Sequence, residues 1–383
     1  MDGGNELRTA AVIVGAGPAG LATSACLGRA GVEHVLLDRA PQVGASWRAH
    51  YERLHLHTPK GISALPHLPY PRATPRYPSR DDVIAYLERY ASELGLRPQL
   101  GEAVAEIAPD GDGWSVRTSR ARYRCAHVVM ATGLARVPQL PSFAGREAFR
   151  GEVLHSAGYR NGEAWRGRRV LVIGIGNSGG EIALDLLEHG ATPALAVRSA
   201  VNVIPRDVLG IPVLAVGALL RVLPPWLGDL LGRPLIRLGT GNVEALGLRR
   251  LPYGALAQVD EHGRVPLIDS GTIAAIRAGG IALRPGIERF TADGVRFADG
   301  REEPFDAVVA ATGFGAGLGE TLGDLAGACS PKSFGARGEL TVRPGLHFVG
   351  FRVTTRGMLN QIRHDALVTA RAIAASVRAR ARA

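Results

Sequence analysis

Two glycine-rich turns in this chain have the residue types and spacing to hold a phosphate: Gly15-Ala16-Gly17-Pro18-Ala19-Gly20 and Gly174-Ile175-Gly176-Asn177-Ser178-Gly179. Each follows an apolar run that reads as a buried strand, residues 11–14 and 170–173, and each opens a helix-forming stretch, residues 21–25 and 181–184. A strand that turns directly into a helix aims unpaired N–H groups and the positive end of the helix dipole at a pyrophosphate, and glycine lets that phosphate approach the backbone. Two such turns imply two dinucleotides. The strand at 34–37 ends in Asp38, with Arg39 beside it, about twenty residues past the first glycines. A carboxylate there accepts hydrogen bonds from a ribose diol and repels a 2′-phosphate, which points to FAD or NAD. In the second unit the strand at 193–197 ends in Arg198-Ser199, a cation and a hydroxyl that accommodate a 2′-phosphate, hence NADPH.

The elements that position these turns repeat as well. Residues 126–133 and 306–313 both read as apolar strands ending in Ala-Thr-Gly, at Thr132-Gly133 and Thr312-Gly313. Glycine at such an end permits close approach to a ligand in the crevice and equally a sharp exit into a linker between domains. The expected fold class is α/β, with two dinucleotide-binding, Rossmann-like domains and the NADPH domain inserted into a discontinuous FAD domain. On that reading residues 1–159 form the first part of the FAD domain, 160–305 the NADPH domain, and 306–383 the second part of the FAD domain. The most apolar later stretch, 208–238, is interrupted by Pro212, Arg221, Pro224, Pro225, Asp229 and Arg233, short of the ~20 unbroken residues that span a bilayer. It reads as core or substrate-channel helices.

Composition narrows the function classes. At 383 residues, 46% hydrophobic and with 50 glycines, the chain suits two ordinary domains with a large buried interior. The net charge of +10 comes almost wholly from arginine, Lys60 and Lys332 being the only lysines. The arginines are spread along the chain without aromatic interleaving, which argues against a nucleic-acid partner and leaves attraction for anionic cofactors. Cys26, Cys125 and Cys329 form no CxxC, so neither a disulfide framework, a metal site nor a thiol-disulfide relay is expected. No secretory leader is read, and a cytoplasmic protein is expected; oligomeric state is not legible.

Phe149, Gly151, His155 and Tyr159 match the FxGxxxHxxxY/F fingerprint of flavin-containing monooxygenases, just before the second turn as in that family. Within the family, residues 176–186 and 197–206 resemble the YUCCA-type indole-3-pyruvate monooxygenases and their bacterial relatives. Baeyer-Villiger relatives end the fingerprint in Trp-Pro, where this chain has Tyr159-Arg160. Gly44, Trp47 and Arg48 resemble the family's GGxW turn with Ala45 replacing the second glycine, which assigns Trp47 to the flavin site. Ahead of Lys60 the family often carries an asparagine, but residues 54–60 read Leu-His-Leu-His-Thr-Pro-Lys, so His57 and Thr58 become the candidate flavin-lining residues. His155, on the family's interdomain linker, is expected to tie loops together.

The resemblance implies that NADPH reduces FAD, that the reduced flavin and O2 form a C4a-(hydro)peroxyflavin, and that one oxygen atom passes to a small hydrophobic substrate such as an aromatic 2-oxo acid. The cofactor carries that chemistry, and no metal is required. The start of the last helix, residues 357–362 with Gln361, is expected to offer N–H donors to the flavin. The rival is an NAD(P)H-dependent flavin oxidoreductase or oxidase that oxygenates nothing; a further rival is a non-catalytic redox sensor.

Overall fold

The computed structural model describes residues 5–220, 222–329 and 343–382, so Arg221 and Lys332 lie outside the described residues. The first sheet is built on β1 (Asn5–Val14), flanked on one side by β2 (His34–Asp38) and on the other by β3 (Ala121–Met130), all parallel. Gln99–Leu100 extends the β2 edge. An antiparallel hairpin, Val104–Asp110 with Gly113–Thr118, covers the first half of β3. The second sheet takes β4 (Glu152–His155), β5 (Arg169–Ile173), β6 (Thr192–Ala196), β7 (Ala282–Arg284) and β8 (Ala307–Ala310) in the order β7-β6-β5-β8-β4, again all parallel. A last strand, β9 (Leu346–Phe348), returns to the first sheet beside β3. The runs Ala11, Val12, Ile13 and Val170, Leu171, Val172 are completely buried, as strands covered on both faces must be.

The second sheet takes in strands on either side of 160–305, because β4 and β8 pair into it. The reason is the switch point: a parallel sheet makes its ligand crevice where strand order reverses, and β8 is the strand that walls the crevice beside β5. The segment 208–238 is core only in part: Val208 and Val213 are buried in a small cluster with Leu214, Leu235 and Ile236 packed against it. Its helices, α3 (Val213–Leu220) and α4 (Pro225–Thr240), follow α1 (Pro18–Arg29) and α2 (Asn177–Glu188) in the chain. Leu209, Leu219, Val222, Trp226, Leu230 and Leu238 are more than half exposed. The α4 helix turns its glycines inward instead: a Cβ on Gly228 would lie 2.6 Å from Leu256, and one on Gly239 would lie 2.5 Å from Pro205. No described helix is long and apolar enough to cross a membrane.

On the first fold, α1 packs beside the final helix α5 (Met358–Arg380), with Leu21, Ala22 and Ala25 sharing a core with Ile362, Ala366, Ala370 and Ile373. That pairing brings the two helix starts to the same end of the sheet.

Candidate functional site

The first cradle is the turn between β1 and α1. Gly15 has φ +107°, and a Cβ there would sit 2.7 Å from the Ala131 carbonyl oxygen at the end of β3. A Cβ on Gly20 would lie 1.7 Å from the Gly15 oxygen, so glycine is what lets α1 start against the turn. Over Gly17 the space is open: a Cβ there would meet nothing within 4 Å. Gly17 caps α1 without a side-chain bond, and Pro18 at the first helical position has no N–H to satisfy. Asp38 closes the cradle, accepting the Ala16 N–H at 2.6 Å and the Ala40 N–H at 2.8 Å. Arg39 is exposed beside it. The Gly44 N–H reaches the Ala16 carbonyl at 3.4 Å, which leans the turn that carries Trp47 onto the cradle.

The second cradle repeats the first. Gly174 has φ +100°, with the Ala311 oxygen 2.9 Å from its would-be Cβ. Gly179 stands 2.0 Å from the Gly174 oxygen by the same measure, and Gly176 faces open space. Gly176 caps α2 without a side-chain bond. Asn177, expected to touch cofactor, spends its Oδ1 on the Ile268 N–H at 2.7 Å, which pins α2 to the Leu267–Asp269 strand. Arg198 and Ser199 are exposed just past β6. The Arg249 side chain donates to the Arg198 carbonyl at 2.6 Å, adding a second cation that residue spacing did not reveal. Among the described residues neither arginine has a carboxylate partner.

The two Ala-Thr-Gly exits run together as a linker. Val137–Pro138 pairs antiparallel with Phe314–Gly315. Thr312 donates to the Gln139 carbonyl, and the Gly313 carbonyl accepts from Gln139 N–H at 3.0 Å and from His155 Nε2 at 3.0 Å. Thr312 and Gly313 are thus committed to the linker, as is His155, whose Nδ1 accepts the Ala157 N–H at 3.1 Å. Thr132 differs: its buried hydroxyl has no partner among the described residues. The Thr354 and Thr355 hydroxyls, on the segment leading into α5, are orphaned in the same way. Unpartnered buried hydroxyls beside an uncapped helix start and an open glycine are what a polar, phosphorylated ligand satisfies, so the residues present fit a dinucleotide at the first cradle.

Where α5 begins, Gly357 has φ +84° and lies so close to Thr58 that a Cβ would sit 2.6 Å from its methyl group. The Thr58 hydroxyl pairs with Ser63 at 2.7 Å. Gln361 is buried and donates its amide to Asp365 at 2.8 Å, inside the helix. Lys60 serves structure, its ammonium capping the Arg72 and Thr74 carbonyls.

Between the cradles lies a buried polar cluster. Tyr51 donates to Glu181 Oε2 at 2.6 Å, and His57 Nε2 stands 3.6 Å from Glu181 Oε1. Glu181 is 4% exposed. Burial lifts the Glu181 carboxyl to about 7, and burial with Arg206 and His55 nearby holds the His57 imidazole down near 4, so His57 is neutral. Tyr51 and Glu181 escaped the sequence reading; the one available signal was a pair of acids, Glu181 and Asp185, four residues apart in an otherwise apolar helix. The cysteines take no part: burial raises the Cys26 thiol to about 11 and Cys125 to about 12, far from the thiolate that disulfide exchange needs. No group of metal-ligating side chains occurs among the described residues.

Residues 12–207 match the pyridine nucleotide-disulphide oxidoreductase family. Over 352 residues the chain is 40% identical to indole-3-pyruvate monooxygenase YUCCA1 of Oryza sativa subsp. japonica, covering 91% of this chain and 84% of that protein. A solved flavin-containing monooxygenase from Stenotrophomonas maltophilia superposes with a TM-score of 0.73 at 25% identity, covering 97% of this chain and 99% of that one. Cyclohexanone monooxygenase from Rhodococcus sp. Phi1, bound to NADP+, shares the fold with a TM-score of 0.72 at 19% identity, over 98% of this chain and 85% of that one.

Proposed function

Since the chain belongs to the YUCCA indole-3-pyruvate monooxygenase family and is an FAD- and NADPH-dependent flavin monooxygenase, we propose that it oxygenates a small aromatic 2-oxo acid of the indole-3-pyruvate kind. The observation that carries the assignment of cofactors to cradles is the duplicated turn with opposite chemistry at its rim: Asp38 at one strand end, Arg198 with Arg249 at the other. The first cradle would hold FAD, with Gly15, Gly17, Ala19 and Gly20 serving its pyrophosphate, Asp38 its ribose, and the Thr132, Thr354 and Thr355 hydroxyls its remaining polar groups. The second would hold NADPH, with Gly174, Gly176, Ser178 and Gly179 serving its phosphates and Arg198 and Arg249 its 2′-phosphate.

When bound, NADPH supplies hydride and FAD stores the electrons and reacts with O2. The chain's own work is placement and exclusion. The α5 start offers N–H donors where negative charge develops, and Thr58 packs against its first turn at Gly357. His57 stays neutral there and offers no positive charge. Water exclusion falls to the buried interface of Tyr51 and Tyr159 against α2, each phenol donating to an acid of that helix at 2.6 Å. Three free thiols accord with a reducing, cytoplasmic location.

The test is coupling. Purified protein with bound flavin, supplied with NADPH, O2 and indole-3-pyruvate, yields oxygenated product one for one with NADPH consumed. Hydrogen peroxide as the sole product with every 2-oxo acid would favour the oxidase reading.

A further inference from the structure

We propose that Glu181 is a proton site linked to the second cradle: a dinucleotide whose phosphates settle at the start of α2 drives a proton onto the Glu181 carboxyl, and NADP(H) binding is therefore accompanied by proton uptake. The proposal rests on the second cradle being the NADP(H) site.

The geometry is specific. Glu181 follows Asn177, the first residue of α2, by four positions, about 6 Å along the axis at ~1.5 Å per residue. Side chains on a helix lean toward its N-terminus, so the carboxyl is nearer to the cradle than its own Cα is. The Ser178 side chain, within the cradle, lies beside the Tyr51 hydroxyl that donates to Glu181, so one phenol joins the phosphate turn to the acid.

Among the described residues, the charged groups around Glu181 leave it without a fixed counter-ion. From the loop before it come Tyr51, Arg53, His55 and His57; Arg53 pairs with Glu188, His55 Nδ1 turns to the Arg53 carbonyl at 2.6 Å, and His57 stands off at 3.6 Å as a neutral ring. From the strand Val203–Pro205 onward comes Arg206, which pairs with Asp207 at 3.2 Å and stacks over Tyr77. One turn further along α2, Asp185 is taken by Tyr159 at 2.6 Å, and His189 turns its Nδ1 to the Asp185 backbone carbonyl at 2.8 Å. A buried carboxyl with only neutral groups in contact sits close to its titration midpoint near neutral pH, where a nearby change in charge alters its occupancy most. Phosphates arriving at the same helix terminus are that change. They disfavour the carboxylate, and by linkage a protonated Glu181 favours phosphate binding.

The experiment is titration calorimetry of the oxidised, FAD-loaded protein with NADP+ at pH 7.5 and 8.5, each in two buffers of different ionisation heat. The wild type takes up a large fraction of one proton, and its Kd weakens toward about tenfold per pH unit between the titration ranges of the carboxyl in the free and the NADP+-bound protein. Glu181→Gln binds with no uptake from this group and an affinity flat in pH. Tyr51→Phe, which removes a donor to the carboxylate, keeps the uptake and moves it to higher pH. A wild-type heat independent of buffer overturns the proposal, as does equal uptake in Glu181→Gln, which would trace the proton to the 2′-phosphate itself or to a histidine. Arg198→Ala separates the two levels: an unchanged NADP+ affinity in that variant refutes the cradle assignment, whereas weakened affinity with no proton uptake in the wild type refutes only the role of Glu181.

Discussion

Gly176 and Gly179 stand three residues apart in the second cradle, yet the structure assigns them opposite kinds of cost. Gly176 has φ −74° and ψ −179°, an extended conformation open to any residue, and a Cβ there meets no protein atom within 4 Å. Replacement by alanine therefore leaves the fold intact. Reduced freedom of the unfolded chain contributes about 0.4–1 kcal/mol of stability, offset by alanine's poorer performance as an N-cap, so the melting temperature barely moves. The added methyl group occupies the space through which a pyrophosphate reaches the helix N–H groups. Losing one charge-assisted hydrogen bond there is worth about 1.5–3 kcal/mol, or roughly ten- to hundredfold in Kd. Gly179→Ala is different: its Cβ would lie 2.0 Å from the Gly174 backbone oxygen, and only a shift of α2 off β5 relieves that contact. Such overpacking costs about 1–3 kcal/mol or more and lowers the melting temperature along with binding. The assay pairs an NADP+ titration with a thermal melt followed by intrinsic flavin fluorescence. Gly176→Ala binding NADP+ as tightly as the wild type, with flavin retained, would mean that the backbone at this turn does not approach phosphate, and the cradle argument would fall.

Acid stability provides a second check, with signs that can be worked out. Burial holds His347, hydrogen-bonded to His127 at 3.1 Å, near 3 and His57 near 4, against an ordinary value of 6.5. Below pH 6.5 the unfolded chain binds protons that the folded protein refuses, so each histidine removes about 1.4 kcal/mol of stability per pH unit as pH falls. Glu181, lifted to about 7, has the opposite slope between 4.5 and 7, since there the fold holds a proton that the unfolded chain releases. These three groups together contribute a loss of roughly 1.4 kcal/mol per pH unit from 6.5 down to 4.5 and more below; urea midpoints against pH should show a flatter acid limb in His347→Gln and added stability above pH 7 in Glu181→Gln, and superimposable profiles would refute both assignments. The inverted face of α4 is tested by a pair of substitutions. Gly239→Val, whose Cβ would lie 2.5 Å from Pro205, loses about 1–3 kcal/mol, whereas Leu230→Gln, on the exposed side, stays within about 0.5 kcal/mol. Equal effects would mean that α4 packs the other way round.

What the sequence revealed divides by the range of the forces involved. Each cradle is local: strand, glycine turn and helix lie within about thirty residues, so their spacing alone places Gly15, Gly17 and Gly20, and likewise Gly174, Gly176 and Gly179; Asp38 is the last residue of the observed β2 and Arg198 lies two residues past the observed end of β6. The extent of the second fold depends on pairing between β5 and strands that come before and after it in the chain, which no local pattern encodes. A signal was nonetheless present in the repeat itself. If residues 126–133 supply β3 beside β1, the matching 306–313 supplies β8 beside β5, and the carbonyls of Ala131 and Ala311 then stand against Gly15 and Gly174 in the same way.

The misread helices and the missed acids share one physical origin. Hydrophobicity summed over 208–238 says that the segment is apolar, but which face is buried is decided by how closely the backbone can approach its neighbour. In α4 the glycines Gly228 and Gly239 make the close approach beside Leu235 and Ile236, and Trp226, Leu230 and Leu238 are left outside. On α2 the reverse holds: residues 179–186 are all buried, Glu181 and Asp185 among them, so both acids had to find partners within the fold. Those partners, Tyr51 and Tyr159, lie 130 and 26 residues away in sequence and donate at 2.6 Å. An acid carried into the interior by an apolar helix is expensive to leave charged. Its retention beside the phosphate turn is therefore best explained by the proton it can take up, and that is the quantity the NADP+ titration measures.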